Sequence, residues 1–172
     1  MIDEPEGGGP SNANDNSIDN DDGVQWIVVD LDGTLADCSH RIDFAHAKDW
    51  DSFHAACPED PVFEDVKNAV ISILSFGVNL NVIICTGRNE KYRKQTTDWL
   101  SKHGFLPDVL LMRPDNDWSK DGELKTKLLS EHFGSLEEAQ RRVLFILDDR
   151  DSSVEGLRNA GFPVWQVRPS GY

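Results

Sequence analysis

Apolar residues fall along this chain in short unbroken runs separated by longer amphipathic stretches. Trp26-Ile27-Val28-Val29, Asn81-Val82-Ile83-Ile84-Cys85 and Val143-Leu144-Phe145-Ile146-Leu147 show no polar alternation. Runs of that length predict strands buried on both faces, as in a parallel sheet. Val109 to Met112 and Val164 to Val167 predict two more strands. Between the runs the apolar period becomes helical. Asp60 and Pro61 open a predicted helix with a stripe of Phe63, Val66, Val70, Ile73 and Leu74, ended by Gly77. Asn89 to His103 predicts a second helix, capped by Gly104. Glu123 to Phe133 turns Leu124, Leu128 and Leu129 inward, and Ser152 to Ala160 turns Val154 and Leu157 inward. Asp151 reads as the N-cap of that last helix. Strands alternating with helices predict an α/β fold, a Rossmann-like three-layer parallel sheet.

Two segments break the alternation. Residues 36–59 hold His40, Arg41, Phe44, His46, Trp50, Phe53 and His54 and follow the first strand as an insert. Its length allows only a few turns of helix, which would cover the strand ends in part and leave room for a large substrate. Residues 1–23 carry seven acids, no Lys or Arg, and a Gly7-Gly8-Gly9-Pro10 run. They cannot bury enough apolar surface to offset their ordering entropy, so a disordered acidic tail is expected. The tail has neither the apolar core of a signal peptide nor the basic character of a transit peptide. No apolar run approaches the length of a membrane span. One folded domain, residues 24–172, is expected beyond the tail.

The formal net charge of the 172 residues is −14, half of it from the tail. A net negative domain is a poor general binder of long nucleic acid, although a local basic rim still suits a strand end. Cys38, Cys57 and Cys85 show neither metal nor disulfide spacing. They read as reduced thiols of a cytoplasmic protein, with Cys85 facing the core.

The chemistry lies where the strands end. The first leads into Asp30-Leu31-Asp32-Gly33-Thr34-Leu35, the second into Thr86-Gly87-Arg88, the third into Asp148-Asp149-Arg150. Open α/β sheets bind ligands at these carboxyl ends. Gly33 and Thr34 allow a sharp turn out of the sheet. Asp30 and Asp32, one residue apart, can share a hard cation, and one can act as nucleophile and the other as proton donor. An acidic turn after a strand would look the same, and threonine is common at strand ends. Lys125 follows Asp121 by one helical turn, whereas Lys127 points to another face of the same helix.

The ordered set of D-x-D, hydroxyl, lysine and acidic pair resembles the haloacid dehalogenase-like (HAD) phosphohydrolases from Val24 onward. The resemblance implies Asp30 as nucleophile and Asp32 as general acid and then base. It implies Thr86 and Gly87 as donors to a phosphoryl oxygen and Lys125 as the group that neutralises the transferring phosphoryl and Asp30. It further implies Mg²⁺ held by Asp30, the Asp32 backbone carbonyl and the Asp148–Asp149 pair, with Asp149 in direct contact and Asp148 supporting it. The run Asp148-Asp149-Arg150 … Val154-Glu155 … Gly161 … Trp165-Gln166-Val167 is similar to the phosphatase half of the phage polynucleotide kinase–phosphatases, which remove 3′-phosphates from nucleic-acid ends. Arg41, eleven residues after Asp30, together with Arg88 and Asp121, matches positions of that family and implies substrate binding.

There are departures. No G-x-x-x-x-G-K-[ST] occurs, so no kinase half is expected within these residues. Thr86 stands where that family has a serine, and residues 36–59, which the resemblance implies form a small helical cap, have their own sequence. The expectation is a Mg²⁺-dependent phosphomonoesterase acting on 3′-phosphorylated DNA or RNA ends, with a separate kinase or ligase as partner and no membrane association. The alternatives are a mononucleotide phosphatase on the same core and a non-catalytic binding protein on that core.

Overall fold

The structure is a computed structural model and describes residues 23–170. The expected acidic tail lies outside the described residues, apart from Gly23. A five-stranded sheet carries everything else, in the order β3-β2-β1-β4-β5. Its strands are β1 (Gln25–Val29), β2 (Leu80–Asn89), β3 (Val109–Arg113), β4 (Val143–Arg150) and β5 (Val164–Ser170). Every pairing is parallel. The chain builds outward from β1 through β2 to β3, then returns to the other side of β1 for β4 and β5. The order therefore reverses at β1, and the crevice between β1 and β4 is where such sheets take their ligands.

Successive side chains of a strand point to opposite faces, and both faces here are dry. Ile27, Val29, Val82, Ile84, Phe145 and Leu147 enter one core with Val66, Val70, Trp99 and Leu100. Val28, Ile83, Cys85 and Ile146 enter the other with Leu124, Leu128, Leu129, Ala139, Val154 and Leu157. The first core is covered by α3 (Glu64–Phe76) and α4 (Arg93–Lys102), the second by α5 (Asp121–Phe133), α6 (Leu136–Arg142) and α7 (Asp151–Asn159). The insert contributes two short helices, α1 (Ile42–His46) and α2 (Trp50–Ala55), and a one-turn 3-10 helix on each side of them. All three cysteines are free and buried. Among the described residues no helix is long and apolar enough to cross a membrane.

Three boundaries differ from the sequence reading for a tertiary reason, and one helix was missed. The helix expected from Asp60 starts at Glu64, because Val62 bridges Ala36 and the Phe63 amide donates to the Leu35 carbonyl. The helix expected from Asn89 starts at Arg93, because β2 continues to Asn89, which pairs with Arg113 and caps a 3-10 turn. Asp151 is not an N-cap. Arg150 holds that position, and the Asp151 carboxylate instead accepts from Gln166 Nε2 at 2.6 Å. Helix α6 was not anticipated, although Ser135 and Glu138 form an S-x-x-E pattern and the Glu138 amide donates to Ser135 Oγ at 3.1 Å.

Two glycine positions control how closely the pieces approach. Gly33 has φ +92°, and a Cβ there would sit 2.3 Å from Asp149 Oδ2. Helices α5 and α7 touch through Gly122 and Gly156, where a Cβ on Gly122 would lie 2.9 Å from the Gly156 Cα. A side chain at this contact must push α7 off α5. Gly156→Val should therefore cost about 1–3 kcal/mol of stability, as overpacking does. Urea unfolding measures it, and an unchanged midpoint would mean the two helices do not meet through these glycines.

Candidate active site

The carboxyl ends of β1, β2 and β4 and the first turns of α5 converge on one buried ammonium group. Lys125 Nζ lies 2.7 Å from Asp30 Oδ1, 2.6 Å from Asp148 Oδ2 and 3.0 Å from Asp121 Oδ2. Ser153 Oγ donates to the same Asp148 oxygen at 2.7 Å, and the Arg150 amide donates to Asp148 Oδ1 at 3.1 Å. Lys125 is 1% exposed. An unpaired ammonium at that depth would be neutral. Burial does push Lys125 down, but Asp121, Asp148 and Asp30 outweigh it and hold its pKa well above the ordinary lysine value. Lys127 is half exposed and pairs with Asp117 at 3.3 Å, so Lys125 is the lysine brought to Asp30.

Carboxylates outnumber the cation in this cluster. Burial drives the Asp30 carboxyl well above its usual range; Lys125 opposes this, and Asp148, Asp149 and Asp121 add to it. Oxygens of Asp30, Asp148 and Asp149 lie within 4.8 Å of one another. Three converging carboxylates with excess negative charge fit a hard divalent cation, which would reverse the pressure on Asp30. Thr34 Oγ1 donates to Asp149 Oδ1 at 3.1 Å, fixing the outer acid against the turn after β1. The Asp32 carboxylate is not among these three.

Asp32 belongs to a second network. Arg88 Nε lies 3.0 and 3.1 Å from its two oxygens, and Arg88 and Arg41 each bring an Nη2 to 2.5 Å of Oδ1. Both guanidinium groups then turn to Asp60: Arg41 Nε at 2.7 Å, Arg41 Nη2 at 2.5 Å, Arg88 Nη2 at 2.8 Å. His40 Nε2 contacts the same carboxylate at 2.8 Å, and the Asp60 carbonyl accepts from Trp99 Nε1. Burial raises the Asp32 carboxyl, but Arg88 and Arg41 prevail and hold it far below the usual range. The sequence reading placed Arg41 and Arg88 on the substrate. Both are fully buried, and neither is among the described residues lining the cavity. A guanidinium without water requires carboxylate partners, and Asp32 and Asp60 supply them.

Above Asp30, Thr86 and Gly87 opens a cavity of about 540 Å³. One wall is Trp50, Phe53 and His54 of the insert; the other is Arg113 and the loop that follows β3. Thr86 Oγ1 accepts from the Arg88 amide at 3.2 Å. Gly87 borders the cavity with no room for a side chain, since a Cβ would meet Asp121 Oδ1 at 2.6 Å. Burial lowers the His54 pKa to about 4, so this imidazole is neutral near pH 7. Sequence reasoning missed Asp60, His54 and Arg113. Asp60 looked like a helix opener, and the only clue to it was that two buried arginines need more than one acid.

A parallel sheet reversing at β1, with an aspartate pair, a threonine and an acidic pair at its strand ends and a lysine brought to them by α5, defines a phosphatase of the HAD class. Residues 24–172 match the family model described as the polynucleotide kinase PNKP phosphatase domain, and the chain belongs to that family. It is 29% identical to a chain of the Pnkp1/Rnl/Hen1 complex, with a TM-score of 0.70, covering 88% of this chain and 49% of that one. A chain of the Pnkp1/Rnl/Hen1 RNA repair complex gives 29% identity and a TM-score of 0.71, over 90% and 46%. A HAD-superfamily hydrolase from Geobacter sulfurreducens shares the fold at 11% identity and a TM-score of 0.58, over 87% of this chain and 89% of that one. A protein of Autographa californica nuclear polyhedrosis virus, inferred to be a bifunctional polynucleotide kinase/RNA ligase, is 25% identical over 142 residues, 80% of this chain and 18% of that protein. The chain thus spans about half the length of the repair-complex chains and less than a fifth of the viral protein.

Breaking a buried ion network leaves its other charges uncompensated. Asp60→Asn should destabilise the protein by about 3–5 kcal/mol. Chemical denaturation reads the loss, and a change below about 1 kcal/mol would show that Asp60 is dispensable to the arginines.

Proposed function

We propose that this domain removes the phosphate from 3′-phosphorylated ends of DNA or RNA by way of an aspartyl-phosphate on Asp30. The observation that carries the proposal is the Asp30–Lys125–Asp148–Asp149 cluster beneath an open cavity. An Asp30 carboxylate oxygen attacks phosphorus, and the bond between phosphorus and the 3′-oxygen breaks. Asp32, which takes up a proton as the phosphate seats beside it, gives that proton to the departing oxygen. Water then attacks the aspartyl-phosphate, Asp32 takes its proton, and inorganic phosphate leaves. Lys125, Thr86 and the Gly87 amide hold phosphoryl oxygens or balance their charge.

Arg41 and Arg88 keep Asp32 ionised at rest, the form that accepts a proton. A phosphoryl group seated beside it adds negative charge and moves its carboxyl back up, towards the form that donates. Mg²⁺ held by Asp30, Asp148 and Asp149 would polarise the phosphoryl group and compensate its charge. The insert, residues 36–59, acts as a small cap whose partial cover admits a strand end. The repair-complex and kinase/ligase relatives support a kinase or ligase as working partner. Buried free thiols agree with a reducing, cytoplasmic setting.

Phosphate release should be measured with Mg²⁺ and with EDTA on a 3′-phosphorylated oligonucleotide, a 3′-mononucleotide and a 5′-mononucleotide. The oligonucleotide should be preferred, EDTA should abolish release, and Asp30→Asn should lower kcat by at least about 10³-fold. Full activity in Asp30→Asn would end the covalent mechanism, and preference for a mononucleotide would move the protein to nucleotide metabolism. Lys125→Ala should be nearly inactive and Lys127→Ala close to wild type; the reverse would show that the wrong lysine has been assigned.

A further inference from the structure

Trp118 is 83% exposed, yet the chain on both sides of it is pinned. Arg113 Nη1 donates to the carbonyls of Asp117 at 3.2 Å and Ser119 at 2.9 Å. The Ser119 amide returns to Asp117 Oδ1 at 2.9 Å. The same guanidinium reaches the Gly87 carbonyl at 3.1 Å and Asp121 Oδ1 at 3.0 Å. One side chain therefore ties the backbone around Trp118 to the floor of the active site. Trp118 also lines the cavity above Asp30, so a ligand seated there can cover a ring whose exposure gives the fold no burial in return.

Trp50 lies on the same cavity from the opposite side of the topology. It is 39% exposed and packs edge-on against Phe53, with centroids 5.9 Å apart. The segments carrying Trp50 and Trp118 follow β1 and β3, the strands that flank β2 and its Thr86-Gly87 end. Lys91, Lys120 and Arg150 also line the cavity, alongside six aspartates, one of which, Asp51, pairs with Lys91 at 2.5 Å. Aromatic faces beside cationic groups are the pattern that binds single-stranded nucleic acid, because every base has a face to stack and every linkage a negative charge.

We infer that Trp118, held by Arg113 and assisted by Trp50, stacks the base of the nucleotide whose 3′-phosphate enters the Asp30 site. The inference rests on the proposed function and adds the part of the substrate that is read. The site requires a base next to the phosphate and tolerates any of them, since stacking makes no hydrogen bonds to base edges. Trp118 is a binding residue remote from the reacting atoms, so it acts on the capture of base-bearing substrate.

The test compares the full chain acting on two 3′-phosphorylated oligonucleotides that differ only in whether the last nucleotide carries a base or is abasic. Wild type should favour the base-bearing substrate about tenfold in kcat/KM, the worth of one base–aromatic stack. That preference should shrink towards unity in Trp118→Ala, fall part of the way in Trp50→Ala and persist in Trp118→Phe, with changes in KM rather than kcat. Equal hydrolysis of both substrates by wild type, or an undiminished preference in Trp118→Ala, would overturn the stacking role while leaving the phosphatase reading intact. Release from neither oligonucleotide, nor from a 3′-mononucleotide, would remove the end-processing reading and the inference with it. Release confined to a 3′-mononucleotide, with KM still raised in Trp118→Ala, would remove only the end-processing reading and keep the stack.

Discussion

Lys125 holds three acids together out of water at the end of a parallel sheet, and much of the molecule is arranged so that it can. Its ammonium group must sit within hydrogen-bond reach of Asp30, Asp121 and Asp148 together. That demands that α5 lie close to α7, which the Gly122–Gly156 contact permits, so that Ser153 and Lys125 meet at Asp148. It also demands that the turn after β1 pass tightly against Asp149, which Gly33 permits. Close approach of backbones and close approach of charges are one requirement here, because a lysine buried without several carboxylates would lose its proton.

The two acids of the D-x-D pair live in opposite environments although one residue separates them. Burial, joined by the neighbouring carboxylates, pushes Asp30 up; burial also raises Asp32, but two guanidinium groups outweigh it and pull it down. Environments that split the pKa values of neighbouring acids are how one site obtains groups with different tasks. The split also separates a region suited to a cation from one already neutral. In the second network two arginines meet Asp32 and Asp60, with His40 at the edge, and the set needs nothing from solvent. This is why Arg41 and Arg88 face Asp32 instead of the cavity, whose cations come from other elements: Arg113, Lys91, Lys120 and Arg150.

Much of this could be read from the chain, because the informative signals were local. The runs at Ile27, Ile83 and Ile146 are strands because unbroken apolar stretches of that length have to be dry on both faces. The acids that follow them stand at the strand ends because they come next in the chain. Lys125 was separable from Lys127 because a helix sends residues two apart to different faces. The beginning of α3, the extension of β2 and the role of Asp151 were not separable in this way. Each was decided by a partner far along the chain: Ala36 for Val62, Arg113 for Asn89, Gln166 for Asp151.

The sequence by itself determined the layered α/β class, the order of the strand-end motifs and the residue types able to handle a phosphate, all of which follow from periodicity and adjacency. Only the tertiary structure decided which charges meet. Asp60 joins Arg41 and Arg88, and Arg113 reaches back to Gly87 and pins the loop of Trp118. Electrostatic partnership depends on distance in space, and no local pattern carries that distance when the partners are 19 or 28 residues apart, as with Asp60 and its two arginines.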